Sequence, residues 1–108
     1  MADTLKVSLN PTCSNSPVKI LDGLADHTYT VLAITICETA GVAETFDLYV
    51  NDDAGGTLYY IYMTQALPAN GTFEHTTKVV LENTDELTFV LDSAGDVDVI
   101  VSYLDQDT

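Results

Sequence analysis

Basic residues are almost missing from this chain. It has no arginine and no tryptophan, and its three lysines, Lys6, Lys19 and Lys78, face 17 aspartates and glutamates in 108 residues, a formal net charge of −14. No basic residue follows Lys78, whereas Glu82, Asp85, Glu86, Asp92, Asp96, Asp98, Asp105 and Asp107 do. Neutralising the phosphates of a nucleic acid takes clustered lysine and arginine, so DNA or RNA binding by the isolated chain is excluded, and docking on an anionic membrane with it. The charge leaves four readings open: a solvated acidic surface that keeps the protein soluble, a basic protein partner, cation binding, or a salty medium that screens self-repulsion.

Cysteine is scarce too. Cys13 and Cys37 belong to no CxxC pair and no Cys/His cluster, so a zinc site has no support. No apolar run nears the ~20 residues of a membrane helix. The start, Met1-Ala2-Asp3-Thr4-Leu5-Lys6, lacks the basic segment and apolar stretch of a secretory signal. The expectation is a chain made and used without secretion, its thiols free in a reducing cytosol.

Catalytic groups are sparse. The histidines are His27 and His75, no serine lies in a Gly-x-Ser-x-Gly turn, and Cys37 has no partner motif. Asp26 precedes His27, but neighbours in an extended segment point to opposite faces. Both histidines read as loop or surface residues. No catalytic residue, cofactor or metal ligand is assigned, and the chain is read as a non-enzyme. Asn51-Asp52-Asp53 offers oxygen donors, yet the calcium-loop spacing fails, with Gly55 at the fifth position and Tyr62 at the twelfth. Those residues read as a turn. Asn70-Gly71-Thr72 fits a glycosylation sequon, which is irrelevant in an unsecreted chain.

What the chain does hold is period-two alternation. In residues 86–104, Leu87, Phe89 and Leu91 fall on one face, then Val97, Val99, Val101 and Tyr103 do, on either side of Asp92-Ser93-Ala94-Gly95-Asp96. This predicts two strands joined as a hairpin, with Gly95 free to take positive φ in the turn. Further strands are predicted over residues 5–9, 18–21, 28–37, 44–50, 57–64 and 72–81. Residues 10–17 read as a loop bounded by Pro11 and Pro17, and Asn51 to Gly56 as the strongest turn. In residues 28–37, Leu32, Ile34 and Ile36 fall on one face and Tyr29, Val31 and Ala33 on the other, which places that strand centrally or at an interface. Eight short strands spaced by about ten residues predict an all-β antiparallel β-sandwich, jelly-roll-like or Ig-like, in one domain over residues 1–108. Residues 1–27 stand apart as an N-terminal arm or edge-strand segment.

Two groups are candidate interface residues. Tyr49, Tyr59, Tyr60 and Tyr62 lie on strands that a short turn sets side by side. Tyr60 and Tyr62 share one face by alternation, and Tyr59 shares the other with Ile61 and Met63. An exposed tyrosine face suits a protein interface, where a ring is buried and a hydroxyl stays wet, and it also suits sugar stacking. Leu5, Val7 and Leu9 form the second group. Their strand either joins the sheet edge of a neighbouring copy or folds back on its own sheet.

Several segments together resemble a family, the small virion structural proteins of tailed bacteriophages. They are Tyr29-Thr30-Val31, Ala33-Ile34, Leu67-Pro68-Ala69-Asn70-Gly71, Val80-Leu81-Glu82-Asn83-Thr84-Asp85-Glu86-Leu87, and Ala94-Gly95-Asp96-Val97-Asp98-Val99-Ile100-Val101-Ser102-Tyr103-Leu104. The resemblance spans residues 28–104, and the closing segment is its most distinctive part. Residues 35–37 lack the basic residues usual there. The resemblance implies a β-sandwich built into a virus particle and assembled in the host cytoplasm. The first expectation is a decoration (cement) protein on the capsid exterior, a homo-oligomer, dimer or trimer, whose other partner is the major capsid protein. The alternative is a tail, connector or fibre component, including a glycan-binding module.

Overall fold

The computed structural model describes residues 2–107, so the first residue of the expected arm, Met1, and the last of the domain, Thr108, lie outside it. Nine strands run in chain order: β1 (Ala2–Cys13), β2 (Val18–Asp22), β3 (His27–Glu38), β4 (Glu44–Asp52), β5 (Thr57–Leu67), β6 (Thr72–His75), β7 (Val79–Glu82), β8 (Glu86–Leu91) and β9 (Val97–Asp107). Sheet A has the order β1-β9-β3, with β6 and β7 sharing the far side of β3; sheet B has the order β2-β8-β4-β5. All pairings are antiparallel. The chain changes sheet at most connections, which is the jelly-roll arrangement and not the Ig-like one.

That topology corrects the expected closing hairpin. β8 belongs to sheet B and β9 to sheet A, so residues 92–96 cross between sheets. Alternating apolar strands around a turn look alike in sequence whether they pair or face each other across a core. The crossing is fastened by Leu91 N–H to Ser14 O (3.0 Å) and Gly95 N–H to Ser14 Oγ (3.0 Å). Gly95 is not among the positive-φ residues. A Cβ there would lie 2.6 Å from Glu44 Oε2 and 2.9 Å from Leu91 Cδ1, so a larger residue would have to push the ends of those two side chains aside.

Two expected strands also change their bounds. β1 runs through Pro11, tolerated because the strand is at an edge, and its register shifts only between Asn10 and Cys13, where Thr12 has φ 54. The expected strand over residues 72–81 is two strands. β6 pairs with residues 34–37 of β3 and β7 with residues 28–31. Between those halves, β3 shifts register against β9 from Val31 to Ala33, leaving Leu32 as the extra residue of a bulge. The bulge corrects the two-faced reading of this strand: Tyr29 and Val31 before it, and Ile34 and Ile36 after it, are all buried.

These residues meet Val97, Val99 and Val101 of β9 and, from sheet B, Phe46, Leu48, Leu87, Phe89 and Leu91. Phe46 is at the centre, fully buried, with ring centroids 5.3 Å from Phe89 and 5.4 Å from Phe73. At one end the buried Glu38 carboxylate accepts N–H bonds from Ala40, Gly41, Val42 and Asn70 at 2.8–3.1 Å, tying two loops together. The Asn70 bond, then the other three against the effect of burial, hold its carboxyl below the usual range. Phe46→Ala is expected to lower stability by about 3–5 kcal/mol, read as a fall in the urea midpoint.

Candidate functional site

The polarity of β1 is inverted. Its inward side chains are polar: Lys6 Nζ donates to Asp105 Oδ2 (2.7 Å), Ser8 Oγ to the Ile20 carbonyl (2.6 Å), and Asn10 Nδ2 to the same carbonyl (3.3 Å). Asp105 also bonds His27 Nδ1 at 2.7 Å, which links β1, β9 and β3. The aliphatic side chains therefore point to solvent, with Leu5, Val7 and Leu9 exposed by 74%, 54% and 67%.

Register lines them up with neighbours on the same face. Leu5 stands opposite Leu104, which stands opposite Thr30 and then Val80; Val7 leads to Ser102 and Ala33; Leu9 leads to Ile100 and Thr35. The middle of the outer face of sheet A thus carries aliphatic and hydroxyl side chains and no charge. Carboxylates begin at its rim, where Asp98 pairs with Cys37 and Glu74 with Thr35. A shallow depression of about 330 Å³ beside Leu9, Pro11 and Ile100 continues the apolar surface. In the N-terminal segment, β1 lies on its own sheet beside β9.

The tyrosines divide. β4 and β5 are neighbours as expected, but the register runs from Leu48↔Tyr62 to Tyr49↔Tyr60, so Ile61 is the extra residue of a bulge. Tyr60 and Tyr62 therefore do not share a face. Tyr60 points outward against Tyr49, centroids 5.2 Å apart, while Tyr62 turns inward, 4.9 Å from Phe73 and 6.1 Å from Phe46. Tyr59 stands opposite Val50 at the open edge and is 59% exposed. Burial and the neighbouring Tyr60 push the Tyr49 hydroxyl above its ordinary pKa.

His75 is buried, not a surface residue. Its Nδ1 lies 2.8 Å from the Tyr62 hydroxyl, and its Nε2 has no protein hydrogen-bond partner among the described residues. His27 is part-buried and held by Asp105. Cys13 and Cys37 are free thiols, with β9 lying between the strands that carry them. Burial pushes the Cys13 thiol up to about 11, which keeps it in the unreactive protonated form.

The turn at Asp52 and Asp53 gains a partner that sequence reasoning missed. Asp85, from the β7–β8 connection, brings a third carboxylate, and oxygens of the three lie within 4.8 Å of one another. Such a set is chemically suited to a hard cation. Asp85 already accepts N–H bonds from Asp53 (2.9 Å) and Glu82 (3.1 Å), so it joins two turns. Burial, with Asp53 and Asp85 alongside, raises the pKa of the Asp52 carboxyl. No local spacing announces this grouping, because Asp53 and Asp85 are 32 residues apart.

No protein-family model matches the chain, and no curated protein matches it. Solved structures do share its fold. One is from the Bacillus endospore appendages, described as disulfide-linked pili (TM-score 0.59, 9% identity, covering 97% of this chain and 88% of that one). A second is from the capsid of the Helicobacter pylori bacteriophage KHP30 (TM-score 0.55, 12% identity, 97% and 87%). A third is from the T13 particle of IBDV (TM-score 0.57, 8% identity), where 95% of this chain matches 30% of that one. At these identities the likeness is one of fold.

Bonds from Lys6 and His27 hold the Asp105 carboxyl below the usual range. Its contribution to stability is therefore present above its unfolded value of about 3.9 and is lost as pH falls through the lower folded value. The same bond raises the Lys6 ammonium pKa, so that part is lost only as pH rises through its folded value. Asp105→Asn is expected to lower the melting temperature at neutral pH, and the gap to the parent to close in acid below about pH 3.9. Calorimetry across pH checks this; a gap that persists in acid would assign the loss to packing instead.

Proposed function

We propose that this chain is a non-enzymatic structural protein of a phage virion, seated on the capsid exterior as a cement protein. Its partners on this reading are the major capsid protein and other copies of itself. The observation that carries the proposal is the outer face of sheet A: uncharged and apolar at its centre, with Leu5, Val7 and Leu9 exposed, on a chain of net charge −14. Exposed apolar surface of this kind marks association. The likeness to a chain of a phage capsid over 97% of this chain and 87% of that one supports it, as does the likeness to a pilus, another assembly.

Cement action is mechanical. A shell filled with DNA is under outward pressure, and a protein docked across its seams adds contact area that must be lost before the shell parts. An acidic protein suits the outside, away from DNA. The apolar centre supplies the dry contact, and the carboxylate rim favours basic groups around the docking site on the shell. The division of Tyr60 from Tyr62 leaves Tyr49, Tyr59 and Tyr60 as the tyrosines on which the glycan-binding alternative would rest.

Immunogold labelling of intact particles from the source of this chain is expected to decorate the whole head. Label confined to the tail or one vertex would reject the cement role in favour of a tail, connector or fibre component. Raising the salt concentration is expected to weaken binding to heads stripped of this protein, because it screens the acidic rim. Binding unchanged or strengthened by salt would remove the electrostatic part of the proposal.

A further inference from the structure

We infer that two copies of this chain join edge to edge through β1, in one register, to make a sheet continuous across both. The four sheet edges differ. β5 is interrupted by bulges at Ile61 and at residues 63–64, where Thr64 has φ 53. β2 has five residues and a register shift between Lys19 and Leu21. β6 and β7 have four residues each and are separated by residues 76–78. Bulges and short length are the devices that stop an edge from pairing. β1 has 12 residues, and its ladder to β9 runs unshifted from Ala2 to Asn10. Its inward charge, Lys6, is already engaged by Asp105, and Pro11 lies beyond the regular ladder.

Charge and symmetry name the occupant. β1 holds one acid, Asp3, and one base, Lys6, so it is neutral within a chain of net charge −14. Two copies repel over most of their surface and can approach here. A strand meeting itself antiparallel about a twofold axis keeps outward residues opposite outward residues. Centring the axis on Val7 sets Val7 opposite Val7, Leu5 opposite Leu9, and Lys6 opposite Ser8, so three aliphatic pairs line the outer face and no like charges meet. Moving the axis to Lys6 would set lysine opposite lysine, and moving it to Ser8 would set Leu5 opposite Pro11. Cross-strand aliphatic pairs stabilise a ladder, and like charges directly opposite destabilise it. The joined pair presents one outer face of twice the width, closer to the ~800 Å² per partner of a stable docking surface.

The test uses the purified full chain without particles, so its failure and that of the virion reading are separate. Sedimentation is expected to give twice the 11.7 kDa of one chain. Added salt should strengthen the pair by screening repulsion. The double variant Leu5→Lys, Leu9→Lys places lysines opposite each other at two points and should sediment as a single chain with unchanged circular dichroism, since both sites are exposed. In a Cys37→Ser background, Val7→Cys should cross-link across the axis under mild oxidation, whereas Asp3→Cys, which stands opposite Pro11, should not. A single-chain mass for the parent, a pair that survives the double lysine variant, a pair that salt dissociates, or equal cross-linking at both positions would each overturn the inference.

Discussion

The position of Asp105 decides which side of β1 meets water. Buried on β9, it takes Lys6 of β1 and His27 of β3, both at 2.7 Å. A carboxylate inside a sandwich needs partners, and these two commit β1 to a register in which Lys6, Ser8 and Asn10 face the sandwich. Ser8 and Asn10 then satisfy the Ile20 carbonyl on β2, the edge strand of sheet B. A slip of one residue would exchange the faces of the strand, hiding Leu5, Val7 and Leu9 and stranding Asp105. The exposure of three aliphatic side chains is thus the consequence of a polar cluster, and the long regular edge of β1 comes from the same register.

The rest of the surface sets off that strand. Carboxylates ring the outer face of sheet A and gather at the turns, as at Asp52, Asp53 and Asp85, where two connections share hydrogen bonds. Self-repulsion keeps copies apart in most orientations. Repulsion is weak on the neutral strip of β1, β9 and β3 and on the uncharged β5, and of these edges only β1 offers a long unshifted ladder. The bulges of β5 interrupt that edge, turning Tyr62 into the core and leaving Tyr60 outside.

Much of the sandwich was legible. Leu87, Phe89, Leu91, Val97, Val99 and Val101 alternate cleanly, and all are buried. Two of the errors share one cause. Residues 28–37 and 57–64 read as apolar on both faces, and each holds a bulge, at Leu32 and Ile61, that slips the alternation by one. Period-two reasoning assigns opposite faces to residues on either side of such a slip, so it split Tyr29 and Val31 from Ile34 and Ile36 and joined Tyr60 to Tyr62. A bulge is set by the partner strand, which a local window does not contain.

By itself, the sequence determined the features that rest on composition and local chemistry: an all-β chain, most of its turns, a strongly acidic composition, and the apolar alternation of most strands. Only the tertiary structure decided which strands pair, because pairing depends on residues far apart, as when Leu91 bonds Ser14 or Asp85 joins Asp53. It also decided which side of β1 faces the sandwich and which faces outward. Leu5, Val7 and Leu9 are the aliphatic half, and by hydrophobicity alone they belong inside; the buried carboxylate of Asp105, distant in sequence and close in space, drew Lys6 inward and turned them out.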